Sequence, residues 1–530
     1  MTSPDRTRPS PTFAVLFSLF SLELIAISIA RLPESMRFDR YAFCDHGANL
    51  TLQYLISKGL RPAIDFGYHY GLLPALVGHV WFAVLGATPQ TYQLAMGVFS
   101  IIFAWALAKI LVQLKIGSVG LAFAIVTLGY AYQATYINFA HAIEAALLSH
   151  ALAEQACGRR GNALLLASVS VFAKPSMGYA YSLLLLVLII RNLVADGFSF
   201  RRWFSALAPT AIVFVSLAVV LIGTYGFPAF YHTVFPIEGA VSYQALNFGI
   251  TRAGRELWDP KGTPWIFYLI DVSGFWVAGS IFLLCAAAYQ IWCTYLGKIS
   301  SMRRSEIIIT CAILHLGFVA LFFGNQWSWI YYSYVLMIGC ATAVELGKTG
   351  RRIGVVLCAL AFVSWTDVAY WTYRWGRTTE PNVATAGLWA PADERTEWLT
   401  VLSKARGQKT VLLSTMGAAE LLFPGFEQPV SLYLTKGLMA TADVQRKLAQ
   451  ISGADIVVVP SNTIGTCSGI PQAPEFDAAM KEFEPQMRGK YFDVYQRKKK
   501  PITATSWDSP YAESPPSEMT TPFLGADSRR

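Results

Sequence analysis

Residues 163–191, ALLLASVSVFAKPSMGYAYSLLLLVLIIR, form one long apolar run interrupted near its middle by Lys174 and Pro175. The run exceeds the roughly 20 residues that cross a bilayer as a single helix. Basic residues flank both of its ends: Arg159 and Arg160 before it, and Arg191, Arg201 and Arg202 at and after it. Lys and Arg beside a span mark the cytoplasmic face, so both ends of this run belong on one side. The run must therefore cross twice or dip in and return. Proline removes a backbone donor and ends or kinks a helix. Two arms, near 163–173 and 177–191, are thus predicted to meet at the outer face with Lys174 at the turn.

The same logic organises the rest of the chain. Apolar runs occur at 13–30, 91–114, 118–137, 143–157, 204–224, 272–296, 306–323, 329–346 and 353–371. Between them lie Arg6 and Arg8, Lys109 and Lys115, Lys298 with Arg303 and Arg304, and Lys348 with Arg351 and Arg352. With these clusters on one side, the chain makes eleven membrane segments, N-terminus inside and C-terminus outside. The stretch 72–86 is read as an interfacial or re-entrant helix on the outer side, because counting it as a span would turn every later cluster outward. Composition agrees: charged residues make up 14% of the chain, against about 25% in soluble proteins. That excludes a disordered chain and an ordinary soluble enzyme. The net charge of +9 sits in the short loops as topology determinants, so no nucleic-acid partner is expected. Run 13–30 is read as a retained first span, since it is long for a signal peptide and no small-residue cleavage site follows it. No internal repeat is visible, which argues against a secondary transporter.

The expected fold class is a polytopic α-helical membrane protein with a small C-terminal extracytoplasmic α/β domain. The transmembrane module covers 1–371, with outer loops 31–90 and 225–271. The α/β domain covers 372–499, with strands at 410–414 and 455–459, helices at 442–451 and 474–487, and an edge strand at 491–495. Residues 500–530, rich in Pro, Ser and Thr, read as a disordered tail. Six of the eight cysteines lie in or beside apolar runs as buried thiols, and no spacing suits a metal, so neither metal nor cofactor is expected. Cys44 and Cys467 fall outside the spans, which leaves a disulfide between them open.

The chemistry concentrates in the first outer loop. It runs Cys44-Asp45-His46-Gly47-Ala48-Asn49, then Gly59-Leu60-Arg61-Pro62-Ala63-Ile64-Asp65-Phe66-Gly67-Tyr68-His69-Tyr70-Gly71-Leu72-Leu73-Pro74. Residues 47–57 place Ala48, Leu52, Leu55 and Ile56 on one face, as in a helix lying on the membrane surface. An acid just after the first span, a helix, a G-x-x-P-x-x-D-F-x-Y-x-Y-G-x-L-P pattern and a later Phe172-Ala173-Lys174-Pro175 turn resemble the GT-C superfamily of integral-membrane glycosyltransferases. That group includes protein mannosyltransferases and the lipid A aminoarabinose transferase. Several members carry Asp-Glu where this chain has Asp45-His46, so His46 or Asp65 would take the place of the second acid.

The resemblance implies transfer of a sugar from a polyprenyl-phosphate donor to a lipid, glycan or protein acceptor, by an inverting single displacement. It also implies a bacterial inner membrane, with the active site and C-terminal domain in the periplasm. Asp45 is the expected general base, with a helix N-cap as its other reading. Asp65 would share the catalytic role or pair with Arg61. Lys174 is a lone cation in an apolar run, a phosphate contact or a snorkelling side chain. His141 and Glu144, three residues apart, share a helix face and line a pocket or start a helix. Tyr68, His69 and Tyr70 stack on sugars or belong to an interfacial aromatic belt. His232, Arg252 and Arg255 in the second outer loop line a substrate path or are solvated. The competing functions are a flippase or transporter of lipid-linked glycans and a non-catalytic assembly subunit.

Overall fold

The computed structural model describes residues 10–132, 138–195, 199–235, 274–297, 301–316, 332–434, 439–461 and 474–498. Helices begin where local chemistry favours them. Helix α1 (Pro11–Ala30) starts on Ser10, whose hydroxyl accepts the Phe13 amide, with Pro11 in the first turn. The segment 31–90, expected as the first outer loop, then carries α2 (Leu32–Ser35), α3 (Phe38–Ala42), α4 (Asp45–Ser57) and α5 (Leu72–Leu85). Helix α6 (Pro89–Gln113) opens with a reciprocal cap between Thr88 and Thr91. Helices α7 (Ser118–Ala131) and α8 (Phe139–Ala156) follow, the latter started by the Asn138 side chain accepting the His141 amide. Of the 18 residues of α8, 15 are buried, which makes it the central helix of the bundle.

Run 163–191 breaks as its proline predicts. Helix α9 (Arg160–Ser170) stops, and α10 (Pro175–Ala195) starts on Pro175. The bundle continues with α11 (Phe200–Tyr225), α12 (Phe227–Val234), α13 (Gly274–Tyr295), α14 (Met302–Ala312), α15 (Ser333–Ala343) and the long α16 (Lys348–Thr378). Among the described residues five helices are long and apolar enough to cross a membrane: Pro11–Ala30, Pro89–Gln113, Pro175–Ala195, Leu207–Tyr225 and Phe275–Tyr295. Leu72–Leu85, Ser118–Gly129 and Ser333–Ala343 are apolar but shorter. The chain is a helical membrane protein.

After α16 come a two-stranded ribbon, β1 (Thr379–Pro381) with β2 (Trp389–Pro391), and α17 (Ala392–Ala405). A four-stranded sheet follows, built from β3 (Thr410–Leu412), β4 (Ile456–Pro460), β5 (Phe483–Arg488) and β6 (Phe492–Arg497) in the order β3-β4-β6-β5. Helices α18 (Ala419–Leu422) and α19 (Thr441–Ser452) lie in the crossover between the parallel strands β3 and β4, and α20 (Pro474–Met480) precedes β5. Both faces of β4 are covered, so its Ile-Val-Val-Val run need not alternate with polar residues. Val457 and Val459 face a cluster with Val411 and Phe476, while Ile456 and Val458 face one with Trp398 and Phe492.

Two expectations for this region fail. The helix expected over 474–487 ends at Met480, because Pro485 cannot sit inside a helix and Phe483 begins a strand. The strand near 491–495 is not an edge: β6 lies between β4 and β5, paired on both sides.

The sheet region shares its core with the first outer loop. Phe38 and Phe43 of the loop meet Trp398 at 5.4 and 5.8 Å between ring centroids, and Phe43 meets Phe492 at 5.5 Å. The Ala418 amide donates to the Tyr41 carbonyl, and Thr51 donates to the Gly417 carbonyl at 2.6 Å. The expected tail, 500–530, lies outside the described residues.

Candidate functional site

The turn between α9 and α10 is gripped by the first outer loop. The Gly71 amide donates to the Ala173 carbonyl at 3.0 Å, and the Leu73 amide to the Phe172 carbonyl at 2.8 Å. Gly71 makes this approach possible, since a Cβ there would stand 2.0 Å from the Phe172 oxygen. Two segments about a hundred residues apart in sequence are thereby joined, and Lys174 is brought close to His69.

Lys174 Nζ lies 3.1 Å from His141 Nε2 and donates to it. His141 Nδ1 is 3.3 Å from Glu144 Oε2, which also accepts the Tyr332 hydroxyl at 2.9 Å. The Lys174 ammonium sits 5.3 Å over the Tyr332 ring. Tyr70 accepts from Asn138 Nδ2 at 2.7 Å and faces the His141 ring edge-on at 6.0 Å. His69 packs between Tyr70 (4.2 Å) and Tyr433 (5.0 Å). Burial, with the Lys174 charge nearby, pushes the His69 imidazole down to about 3, so it stays neutral. The second oxygen of Glu144 has no hydrogen-bond partner among the described residues. The result is a half-buried cation with a histidine, a carboxylate and two tyrosines around it, a set suited to receiving an anion beside hydroxyl-rich groups.

Asp45 lies on α4, whose N-cap is Cys44 without a side-chain cap bond; the capping reading of Asp45 does not hold. Its carboxylate is half-buried and makes no hydrogen bond or ion pair among the described residues. Burial pushes it up to about 6, near where a general base works best. The first turn of α4 is held tightly: a Cβ on Gly47 would stand 1.6 Å from the Tyr41 oxygen and 2.7 Å from the Ala418 nitrogen. His46 points inward, its Nδ1 3.1 Å from the Tyr92 hydroxyl.

Asp65 takes the alternative role. It binds the Arg61 side chain at 3.0 Å and the Arg61 amide at 2.8 Å. The Arg61 guanidinium holds its carboxyl below the usual carboxylate range, and the pair closes the turn over 61–65. Tyr68 is likewise structural: it is buried, and its hydroxyl donates to the Gly71 carbonyl at 3.0 Å. His232 is exposed beside Tyr231 and has no contact with the Lys174 cluster among the described residues. Arg252 and Arg255 lie outside the described residues.

Tyr332, Tyr433 and Asn138 were not anticipated. Asn138, an N-cap type just before Phe139 and His141, carried a readable signal. The two tyrosines sit among many aromatics in the sequence and carried none. Cys44 is disulfide-bonded, and the six described cysteines elsewhere are free thiols; Cys467, the remaining cysteine, lies outside the described residues.

The opposite end of the bundle is basic. Lys109 and Arg159 both pair with Glu154 at 2.5 Å, Arg160 pairs with Glu306 at 2.7 Å, and Arg304 donates to the Leu114 carbonyl at 2.8 Å. His141 and Glu154 are near opposite ends of α8, about 20 Å apart at 1.5 Å per residue. No model of a known protein family matches the chain, no curated protein matches it, and no solved structure matches it.

Proposed function

We propose that this protein is a membrane glycosyltransferase of the GT-C type. It moves a sugar from a polyprenyl-phosphate donor to a lipid, glycan or protein acceptor. The observation that carries the reading is the docking of loop residues 71–73 on the Lys174 turn, which brings the His69–Gly71 part of the first motif against the second in one polar cluster. In the reaction the acceptor hydroxyl oxygen attacks the anomeric carbon, and Asp45 takes the hydroxyl proton. The bond from that carbon to the phosphate oxygen breaks, and its electron pair leaves with polyprenyl phosphate. Lys174, steadied by His141 and Glu144, meets the growing phosphate charge. One displacement inverts the anomeric carbon.

The basic end of the bundle supports a cytoplasmic side there, with the cluster and the α/β region facing the periplasm of a bacterial inner membrane. A disulfide at Cys44 supports the same side, since disulfides persist in oxidising compartments. The eleven-segment path remains our reading of the topology. It predicts that a cysteine placed near 425 reacts with an impermeant thiol reagent in spheroplasts.

The test of function is reconstitution with polyprenyl-phosphate sugars, reading release of polyprenyl phosphate. Release by wild type and its loss in Asp45→Asn supports the proposal. Full turnover by Asp45→Asn removes Asp45 as base. Movement of labelled lipid between leaflets without sugar transfer replaces the enzyme with a flippase.

A further inference from the structure

The loop that carries His69 and Tyr70 is held from its other side by helix α19. Asp443, in the first turn of α19 and fully buried, accepts two amides on Oδ2: that of Ala440 at 2.9 Å and that of Gly67 at 2.8 Å. The first is a helix-start bond within its own segment. The second reaches a residue 376 positions away. Asp443 Oδ1 accepts from Arg446 at 2.8 Å, and Arg446 in turn donates to the carbonyls of Asp65 and, at 3.0 Å, Val430. Residues 65–67 are thus tied by two side-chain bonds, Asp443 to the Gly67 amide and Arg446 to the Asp65 carbonyl, to a helix of the α/β region. Tyr433, from the same region, lies against the His69 ring. Gly67 immediately precedes Tyr68-His69-Tyr70, whose far end is pinned by Gly71 to the Lys174 turn.

We propose that Asp443 and Arg446 are positioning residues for the Lys174 site. They fix the near end of the substrate-facing loop while the Gly71 contact fixes the far end, so the α/β region is a working part of the site. Neither residue needs to touch substrate. This inference rests on the glycosyltransferase reading for its kinetic consequence, but its structural content stands apart from it.

The test uses the full-length protein in lipid nanodiscs, with Asp443→Ala and Asp443→Asn. Asn keeps an oxygen where Oδ2 receives the Gly67 and Ala440 amides and loses the charge and the acceptor that Oδ1 offers Arg446, while Arg446 keeps its own bonds to the Asp65 and Val430 carbonyls. Hydrogen exchange over 65–73 should speed at least tenfold in Asp443→Ala and less than threefold in Asp443→Asn. Exchange in α8 should be unchanged. For polyprenyl phosphate release, kcat should fall 10- to 100-fold in the Ala variant. The donor KM should change less than threefold, because Lys174 sits on a separate element; the Asn variant should recover most of kcat. Unchanged exchange over 65–73 in Asp443→Ala overturns the proposal, as does equal loosening throughout the chain in both variants. If wild type releases no polyprenyl phosphate, the functional reading fails, and the exchange pattern still decides whether α19 anchors the loop.

Discussion

Gly71→Ala tests the contact on which the site depends. Gly71 has φ of −67°, a value any residue adopts, so its backbone freedom is not the issue. Space is: the new methyl would stand 2.0 Å from the Phe172 oxygen and 2.3 Å from its carbon. Both are backbone atoms and cannot rotate away. Relieving the clash requires the two segments to part by more than 1 Å, roughly, which takes the 3.0 and 2.8 Å hydrogen bonds beyond useful range. Losing two such bonds costs about 1 kcal/mol each, and overpacking adds about 1–3 kcal/mol. A docking equilibrium weakened by about 3–5 kcal/mol loses about two to four orders of magnitude. Hydrogen exchange of the peptides covering 66–74 and 171–176 should accelerate by that factor where opening is local. Gly97→Ala is the control: nothing lies within 4 Å of its new methyl, in the middle of α6, and helix propensity favours the change by about 1 kcal/mol. Wild-type exchange rates in Gly71→Ala would show that the loop does not dock on the turn.

Asp45 titrates near 6 in the folded chain against an ordinary 3.8; the folded state holds that proton more tightly, so stability falls as pH rises from about 4 through 6. Asp45→Asn should therefore be more stable than wild type by about 1–3 kcal/mol at pH 8 and nearly equal to it at pH 4. Unfolding can be followed through exposure of the buried thiols Cys311 and Cys340. The same ionisation should give polyprenyl phosphate release an acid limb near pH 6, and a limb near 4 would assign the base elsewhere. Lys174→Ala should lower that release at least 100-fold, roughly the loss of one charged transition-state contact, with Lys174→Arg retaining part of it. In the α/β region, Lys447 and Glu420 form a buried pair at 2.7 Å. Glu420→Gln should cost about 3–5 kcal/mol by stranding the lysine, and adding Lys447→Met should recover most of the thermal midpoint.

The helical bundle was legible because its signals are local. Apolar runs, basic flanks and Pro175 each act within a few residues, and the break between α9 and α10 falls where they place it. The site was legible in part. Lys174, His141, Glu144, His69 and Tyr70 stood out as polar groups beside apolar runs, and the structure gathers them. Asp65 carried two readings, because an aspartate four residues after an arginine can close a turn as readily as serve a reaction, and the structure shows its pairing with Arg61. Tyr332, Tyr433, Asp443 and Arg446 act through contacts with distant segments, and nothing near them in the chain announces those contacts. The strand at Phe483–Arg488 escaped because the residues preceding it suit a helix, which does end at Met480 ahead of Pro485.

The interlock between the first loop and the sheet has a consequence for biosynthesis. Thr51 and Gly417 are bonded across 366 residues, and Phe38 and Phe43 wait for Trp398 and Phe492 to complete their surroundings. At translation rates of about 5–20 residues per second, the loop emerges roughly 20–70 s before its partners exist. During that interval an aromatic-rich segment stands without its partners. A ribosome that stops before residue 418 releases a chain with every helix of the bundle made and its outer loop left unclosed, a species that quality-control proteases can recognise.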